Sequence, residues 1–401
     1  MKHLLFILLI IAALAGPAFS ETWLRVPYPM TMRQRGMGDA FTAVADDFYL
    51  LFTNPAGLRK VKNMKTEELN AIIQLPLLDF GFGIQNDVIR TLKQMQGIMQ
   101  GAGEDESTQF TAALDALALI DRTSIGFSIE DPFLASGFLK DTYGFNIAPF
   151  MFDVNLKPVA GMRPELYIDF SSYIQGAYGL APIHLPLFSS WDLDIGFAIK
   201  VLALGQFEGA AELVDFFVWG EDQSVMIEYL QNNLDLGIGL GLNTGAILDM
   251  GMGIALGLAV NDLPTVFTML NVQDKEERLI KMAFPNMRAG ISYSPDLRSW
   301  GINLPPWLLD NPVAAFDLTN LFDPRYKFWT KSHLGFSVNV IHTEPVSLNI
   351  SAGLNKGYGT FSATLRAVVF HISYALWQDE NGIKAGDYPV WQHIVKIALR
   401  W

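Results

Sequence analysis

The segment MGMGIALGLAV, residues 250–260, carries no charge and no strongly polar side chain, yet its eleven residues are too few to cross a bilayer as a helix. Its large residues Met250, Met252, Ile254, Leu256, Leu258 and Val260 alternate with Gly251, Gly253, Ala255, Gly257 and Ala259. A period of two belongs to a strand with one bulky face. A helix would scatter the same side chains around its whole surface, which argues against reading Gly253 and Gly257 as a helix-pairing motif. The pattern recurs in WDLDIGFAIKV, where Leu193, Ile195, Phe197, Ile199 and Val201 oppose Asp194, Gly196, Ala198 and Lys200, and again in DLGIGLGLN and HLGFSVNV. One face suits lipid and the other water. A membrane strand must also find a partner for every backbone N–H and C=O, so such strands point to a closed barrel. A soluble sandwich alternates too, but it buries its large faces against each other. Half of these residues are hydrophobic and only 17% are charged, more apolar than an exported soluble protein requires.

Segments near 69–84, 123–130, 143–154, 165–173, 176–185, 192–204, 235–243, 249–260, 287–294, 312–319, 333–341, 346–354, 359–377 and 391–401 read as strands, and 359–377 is long enough to hide a turn. Even counts are the rule for bacterial barrels, so the expectation is an all-β transmembrane antiparallel barrel of about fourteen strands. Val88, Leu92, Met95 and Met99, then Phe110, Leu114 and Leu117, fall at helical spacing and predict short helices in a loop at 86–121. A second helical insertion is expected at 209–233, and NLPPWLLDNP (303–312) reads as an apolar loop near Trp300 and Trp307. The chain closes on HIVKIALRW, with Val395, Ile397, Leu399 and Trp401 on one face and Lys396, Ala398 and Arg400 on the other.

The chain opens on Lys2 and His3, an apolar run from Leu4 to Ala15, and Ala18-Phe19-Ser20 ahead of Glu21. That is the pattern of a secretory signal over residues 1–20, cleaved after Ser20. Without Lys2, 27 basic face 41 acidic residues, a charge near −14 that excludes nucleic acid as a partner. The absence of cysteine excludes a lipoprotein anchor, disulfides, a thiol nucleophile and thiolate metal sites. Six scattered histidines form no legible Ser-His-acid set, and no metal site or cofactor is expected. The reading is of a protein that is not an enzyme.

The stretch RGMGDAFTAVADDFYLLFTNPAGL, residues 35–58, carries the most specific signal. Together with Arg33, its elements Gly36-Met37-Gly38, Asp46-Asp47 and Asn54-Pro55-Ala56-Gly57 resemble the N-terminal motif of FadL-like outer-membrane barrels. The likeness is nearest to the branch that holds PorV-type proteins and related spirochaetal barrels. LAVNDL, NMRAGISYSP, HLGF and SAGLNKGYGTFS resemble that branch in the same order, so the likeness spans most of the mature chain. It implies a hatch at 21–65 lying inside a barrel formed by 66–401, in the bacterial outer membrane. The final strand resembles the one that barrel assembly machinery recognises. Asp39 departs from the pattern, standing where a small residue is common.

In this setting Gly36 and Gly38 permit close backbone approach or positive φ, Asp46 and Asp47 can accept backbone hydrogen bonds, and Asn54-Pro55 favours a turn. The function implied is passive uptake of a hydrophobic small molecule, long-chain fatty acids above all, with lateral exit into outer-membrane lipid. The alternative implied by PorV-type relatives is a scaffold that binds exported proteins. Proline lacks the N–H a ladder needs, so Pro149, and to a lesser degree Pro76, mark places where the wall can open. The cations placed to meet a carboxylate are Arg33, Arg35, Lys200 and Arg366, with Lys396 and Arg400 on the same face of the last strand.

Overall fold

The computed structural model describes residues 23–24, 26, 28–63, 71–85, 125–130, 136–157, 165–185, 191–210, 223–271, 278–380 apart from 299, 303, 306, 325 and 344, then 389–400, with scattered positions between 93 and 115. The signal segment and Trp401 lie outside them, as does most of the predicted helical insertion at 86–121.

The strands run β1 (Ala71–Gln85), β2 (Ile125–Glu130), β3 (Ser136–Lys140), β4 (Tyr143–Lys157), β5 (Glu165–Gly179), β6 (Asp192–Ala210), β7 (Leu234–Asp249), β8 (Ile254–Asn261) and β9 (Thr265–Asn271). They continue as β10 (Arg278–Ala283), β11 (Asn286–Tyr293), β12 (Leu308–Leu318), β13 (Ser332–His342), β14 (Val346–Asn355), β15 (Tyr358–Ala367), β16 (Phe370–Glu380) and β17 (Pro389–Arg400). Each pairs antiparallel with its neighbours, and β17 returns to pair with β1, so the sheet closes. Three wall positions are held by two collinear pieces: β2 with β3, β8 with β9, and β10 with β11. The ring therefore has fourteen positions.

The count agrees with the expectation although some boundaries do not. Residues 165–173 and 176–185 are not two strands; Glu165–Gly179 is a single one, and only Ile183–His184 pairs beyond it. The run 359–377 divides at Val368, which takes a positive φ of 58° in the turn between β15 and β16. The alternating segment at 250 begins with a turn, since Gly251, Met252 and Gly253 all have positive φ, and β8 starts only at Ile254. Glycine makes that tight reversal inexpensive on either side of Met252. The hairpin of β9 and β10 had no expected counterpart, because TVFTMLN and RLIKMA are short and mixed in polarity. At 209–233, β6 extends to Ala210 and a helix forms over Gln223–Asn232. The apolar loop at 303–312 is in part the start of β12, with a bulge between Asp310 and Val313.

Alternation sets the faces. In β6 and β7, Phe197, Ile199, Val201, Leu236, Ile238 and Leu240 are exposed, whereas Ala198, Lys200, Leu202 and Asn243 are buried. Val395 and Ile397 likewise face out and Lys396 and Ala398 face in. No described helix is long and apolar enough to cross a membrane, and the strands supply the lipid-facing surface. This is the architecture of a bacterial outer-membrane protein. Gln74 and Arg400 meet at one end, where most connections are short, such as 141–142, 250–253 and 368–369. The longer connections lie at the other end, which is the extracellular side by the usual asymmetry of these barrels.

Ile238 is 67% exposed on the outer face. Ile238→Arg is expected to destabilise the barrel by about 2–4 kcal/mol in lipid, measured by urea unfolding in vesicles, whereas Ile238→Leu should change little.

Candidate functional site

Residues 26–63 pack against the inner face of the ring. Thr31 caps α1 (Met32–Gly36), which packs on β13 to β16; α2 (Leu50–Thr53) follows, then a 3-10 stretch from Pro55 to Asn63 that packs on β1, β3, β5, β6 and β7. Met37, Ala40, Phe41, Tyr49, Leu50, Leu51, Ala56 and Leu58 are fully buried. A side chain at Gly36 would lie 2.1 Å from Ser362 Oγ, and Gly38, at φ 63°, would drive one into the backbone of Leu354 at 2.4 Å. The segment thus lies against the wall with no room for a side chain at either glycine. Wall glycines reciprocate: Gly335 and Gly353 abut Met37, Gly196 abuts Pro55, and Gly57 in the segment abuts Ala45.

Polar contacts fix the position. Asp317, fully buried on β12, accepts hydrogen bonds from the Phe41 and Thr42 N–H groups at 2.9 and 2.7 Å. Arg288 on β11 donates to Asp39 Oδ1 at 2.9 Å and its carbonyl at 2.8 Å, and lies 3.7 Å from Asp317. Burial opposes a charge on Asp39, but Arg288, His333 and the Gln34 amide together outweigh it and hold that carboxyl below its ordinary range. His333 donates from Nδ1 to the Gly38 carbonyl at 2.7 Å. Asp39 is therefore not merely a departure from a small residue. Its positive φ of 68° and its bond to Arg288 make it a tether. Sequence reading missed Arg288, Asp317 and His333, although NMRAG and HLGF contain Arg288 and His333, each two residues before a glycine.

The motif acids divide their work. Asp46 pairs with Arg33 at 2.6 Å, whereas Asp47 caps the N–H of Tyr49 at 3.0 Å and bonds the Thr31 hydroxyl. Asn54 donates to the carbonyls of Thr42 and Ala246 at 2.9 and 3.2 Å and accepts from Ala56 N–H at 3.1 Å, forming the turn into Pro55. Lys60 reaches back to the carbonyls of Ala43 and Val44, and burial lowers its pKa.

Most candidate cations already have internal partners. Lys200 is fully buried 2.5 Å from Asp262, beneath the Tyr28 ring at 4.8 Å. Arg33 also bonds Ser337 at 3.1 Å, Arg35 stacks on Trp377 at 5.7 Å, and Lys396 reaches Tyr49 Oη at 3.2 Å. Arg366 lies at the periplasmic end of β15, half-buried, with no hydrogen-bond partner at Nε. These five cations are not gathered at one point.

The wall is irregular beside Pro149. β2 ends at Glu130 and β3 begins at Ser136, and both pair with β1 and β4. Toward β1 the two keep one register, with Gly81 opposite Glu130 and Gln74 opposite Gly137, and residues 131–135 lie outside those described. On the far side, the register of β4 with β5 shifts between Ala148 and Met151, so Pro149 sits in a bulge. Pro76 stands opposite a second irregularity, between Ala398 and Arg400 of β17.

Replacing Asp317 by alanine removes the acceptor of two buried N–H groups. A loss of about 2–4 kcal/mol is expected, together with faster hydrogen exchange at Phe41 and Thr42 than at the strand amides of β14. Asp317→Asn should retain part of both.

No family model and no curated protein matches the chain. Among solved structures, the CymD monoaromatic hydrocarbon channel aligns over 92% of this chain and 96% of its own, at 9% identity and a TM-score of 0.45. The toluene transporter TbuX of Ralstonia pickettii aligns over 92% and 97%, at 10% identity and 0.41. A deltaS2 mutant of the TodX monoaromatic hydrocarbon channel is similar to this chain over 92% and 97%, at 8% identity and 0.43.

Proposed function

We propose that the protein is a passive outer-membrane channel for hydrophobic small molecules, in which residues 26–63 act as a hatch and the wall beside Pro149 serves as a lateral exit. The observation that carries this is that the register shifts on both sides of β4 beside Pro149: against β5 between Ala148 and Met151, and against β2 and β3 between Met151 and Ile147. In a bilayer every unpaired backbone group is costly, so an interruption of the ladder is retained where it serves a path. An apolar solute needs no energy source, because partition into lipid drives its exit.

Long-chain fatty acids fit less well than uncharged cargo. A carboxylate would have to displace Asp262 from Lys200 or Asp46 from Arg33, and an ion pair deprived of one partner in a buried site is strongly destabilised. Arg366 remains as the candidate for an anion near the periplasmic end. A second reading, a scaffold for exported proteins, draws support from Phe322, Phe328 and Trp329, which are highly exposed at the extracellular rim.

The test uses vesicles with a lipopolysaccharide outer leaflet and fluorescent apolar tracers offered as an acid and its methyl ester. The ester is expected to enter faster than through empty vesicles and faster than the acid. Pro149→Ala restores a ladder N–H and is expected to slow uptake about fivefold. Unchanged uptake in that variant would remove the lateral exit, and no uptake of either tracer with a protein bound at the rim would favour the scaffold.

A further inference from the structure

Asn146 lies on the inward face of β4, two residues below the last paired position before the bulge at Pro149. It is fully buried, and neither its Nδ2 nor its Oδ1 has a hydrogen-bond partner. Its cross-strand neighbour on β5 is Gln175, also fully buried, whose Nε2 donates to the Leu51 carbonyl of the hatch at 2.9 Å while Oε1 is unpartnered. On the other side stands Gly137, which presents no side chain. Lys200, next in the row beyond Gln175, is occupied by Asp262.

Buried amides of this kind are rare, because each unmet donor or acceptor carries its full desolvation cost. The row above is apolar: Ala148, Tyr173 and Leu202 align directly over Asn146, Gln175 and Lys200. Two neutral side chains with free donor and acceptor capacity thus lie beneath an apolar band, beside the bulge at Pro149.

The geometry points to Asn146 and Gln175 as a ligand site for the polar head of an otherwise apolar, uncharged cargo, such as an alcohol, phenol or ketone. This rests on the channel reading above and deepens it: the hatch half that contains Leu51 must shift for the head to reach Asn146. An amide offers both a donor and an acceptor, which suits a hydroxyl that needs both, and the absence of an available cation in the row disfavours an anion. The apolar body of the same molecule would lie against Tyr173 and Leu202.

The probes are naphthalene and 2-naphthol at neutral pH, where both are uncharged, in the same asymmetric vesicles. The wild-type protein is expected to take up naphthol in preference to naphthalene relative to empty vesicles. Asn146→Leu, close in volume, should lower that preference about tenfold while leaving naphthalene uptake unchanged. Asn146→Ser, which keeps a smaller donor and acceptor, should fall between them. Heat-dependent electrophoretic mobility establishes that each variant is a folded barrel. A folded Asn146→Leu protein with an unaltered preference, or one in which both rates fall equally, overturns the site and leaves the channel standing. A wild-type protein that carries neither probe overturns the channel and the site with it.

Discussion

Hydrocarbon offers no hydrogen bonds, and this governs the whole molecule. A wall in lipid must pair its own backbone groups on both edges, so the sheet closes at β17 and β1. A ring of fourteen positions then encloses a space too wide for wall side chains alone to fill. The chain fills it with residues 26–63, and the wall makes room with glycines at 196, 335 and 353. Small residues inside and large residues outside are thus one solution to two problems: close approach of the hatch and solvation by lipid.

Against that background, interruptions of the ladder are informative. Those near Pro149 lie on the arc where strands are long, since β4 to β7 run 15 to 19 residues whereas β12 to β17 run only 10 to 12. A second irregularity occurs at Asp262–Pro264, but there Leu263 N–H bonds the Leu242 carbonyl at 2.7 Å and Leu242 N–H bonds the Pro264 carbonyl at 3.3 Å. The wall at that place is bent rather than broken. Both departures lie beside a proline, which has no N–H to give the ladder.

The barrel was legible in the sequence because the period of two is dictated by the lipid face itself. Phe197, Ile199 and Val201 could be placed outward before any partner strand was known. Boundaries were less legible where the same alternation continues through a turn, as at Gly251-Met252-Gly253, or where a strand alternates weakly, as in TVFTMLN. The hatch motif was visible through its glycines and Asn54-Pro55, but its tethers were not. Asp317 and Arg288 are single inward residues on strands otherwise read for their outward faces, and nothing in spacing links them to Thr42 or Asp39 some 250 or more positions earlier. Lys200 faces inward by the same alternation, but its partner Asp262 lies at an irregularity that no period predicts.

The contacts of residues 26–63 with the wall are distributed unevenly, and that bears on which part of the proposed hatch would move. The first half is held by charged groups deep in the lumen: Arg288 on Asp39, Asp317 on the Phe41 and Thr42 amides, and Arg33 on the Ser337 hydroxyl of β13. The second half meets the wall chiefly through neutral amides, with Gln175 and Asn243 on the Leu51 carbonyl, Asn261 on Thr53, and Asn54 on Ala246. Its cationic contacts are Lys396 to the Tyr49 hydroxyl and Arg59, near the periplasmic rim, to the Asp141 carbonyl. Charge-assisted bonds are roughly twice as strong as neutral ones, and a charge stripped of its partner in a buried site cannot simply be left there. A displacement that keeps Phe41–Thr42 fixed and swings Leu51 away is therefore the least costly one. It uncovers the arc of the wall that carries Asn146, Gln175 and the bulge at Pro149.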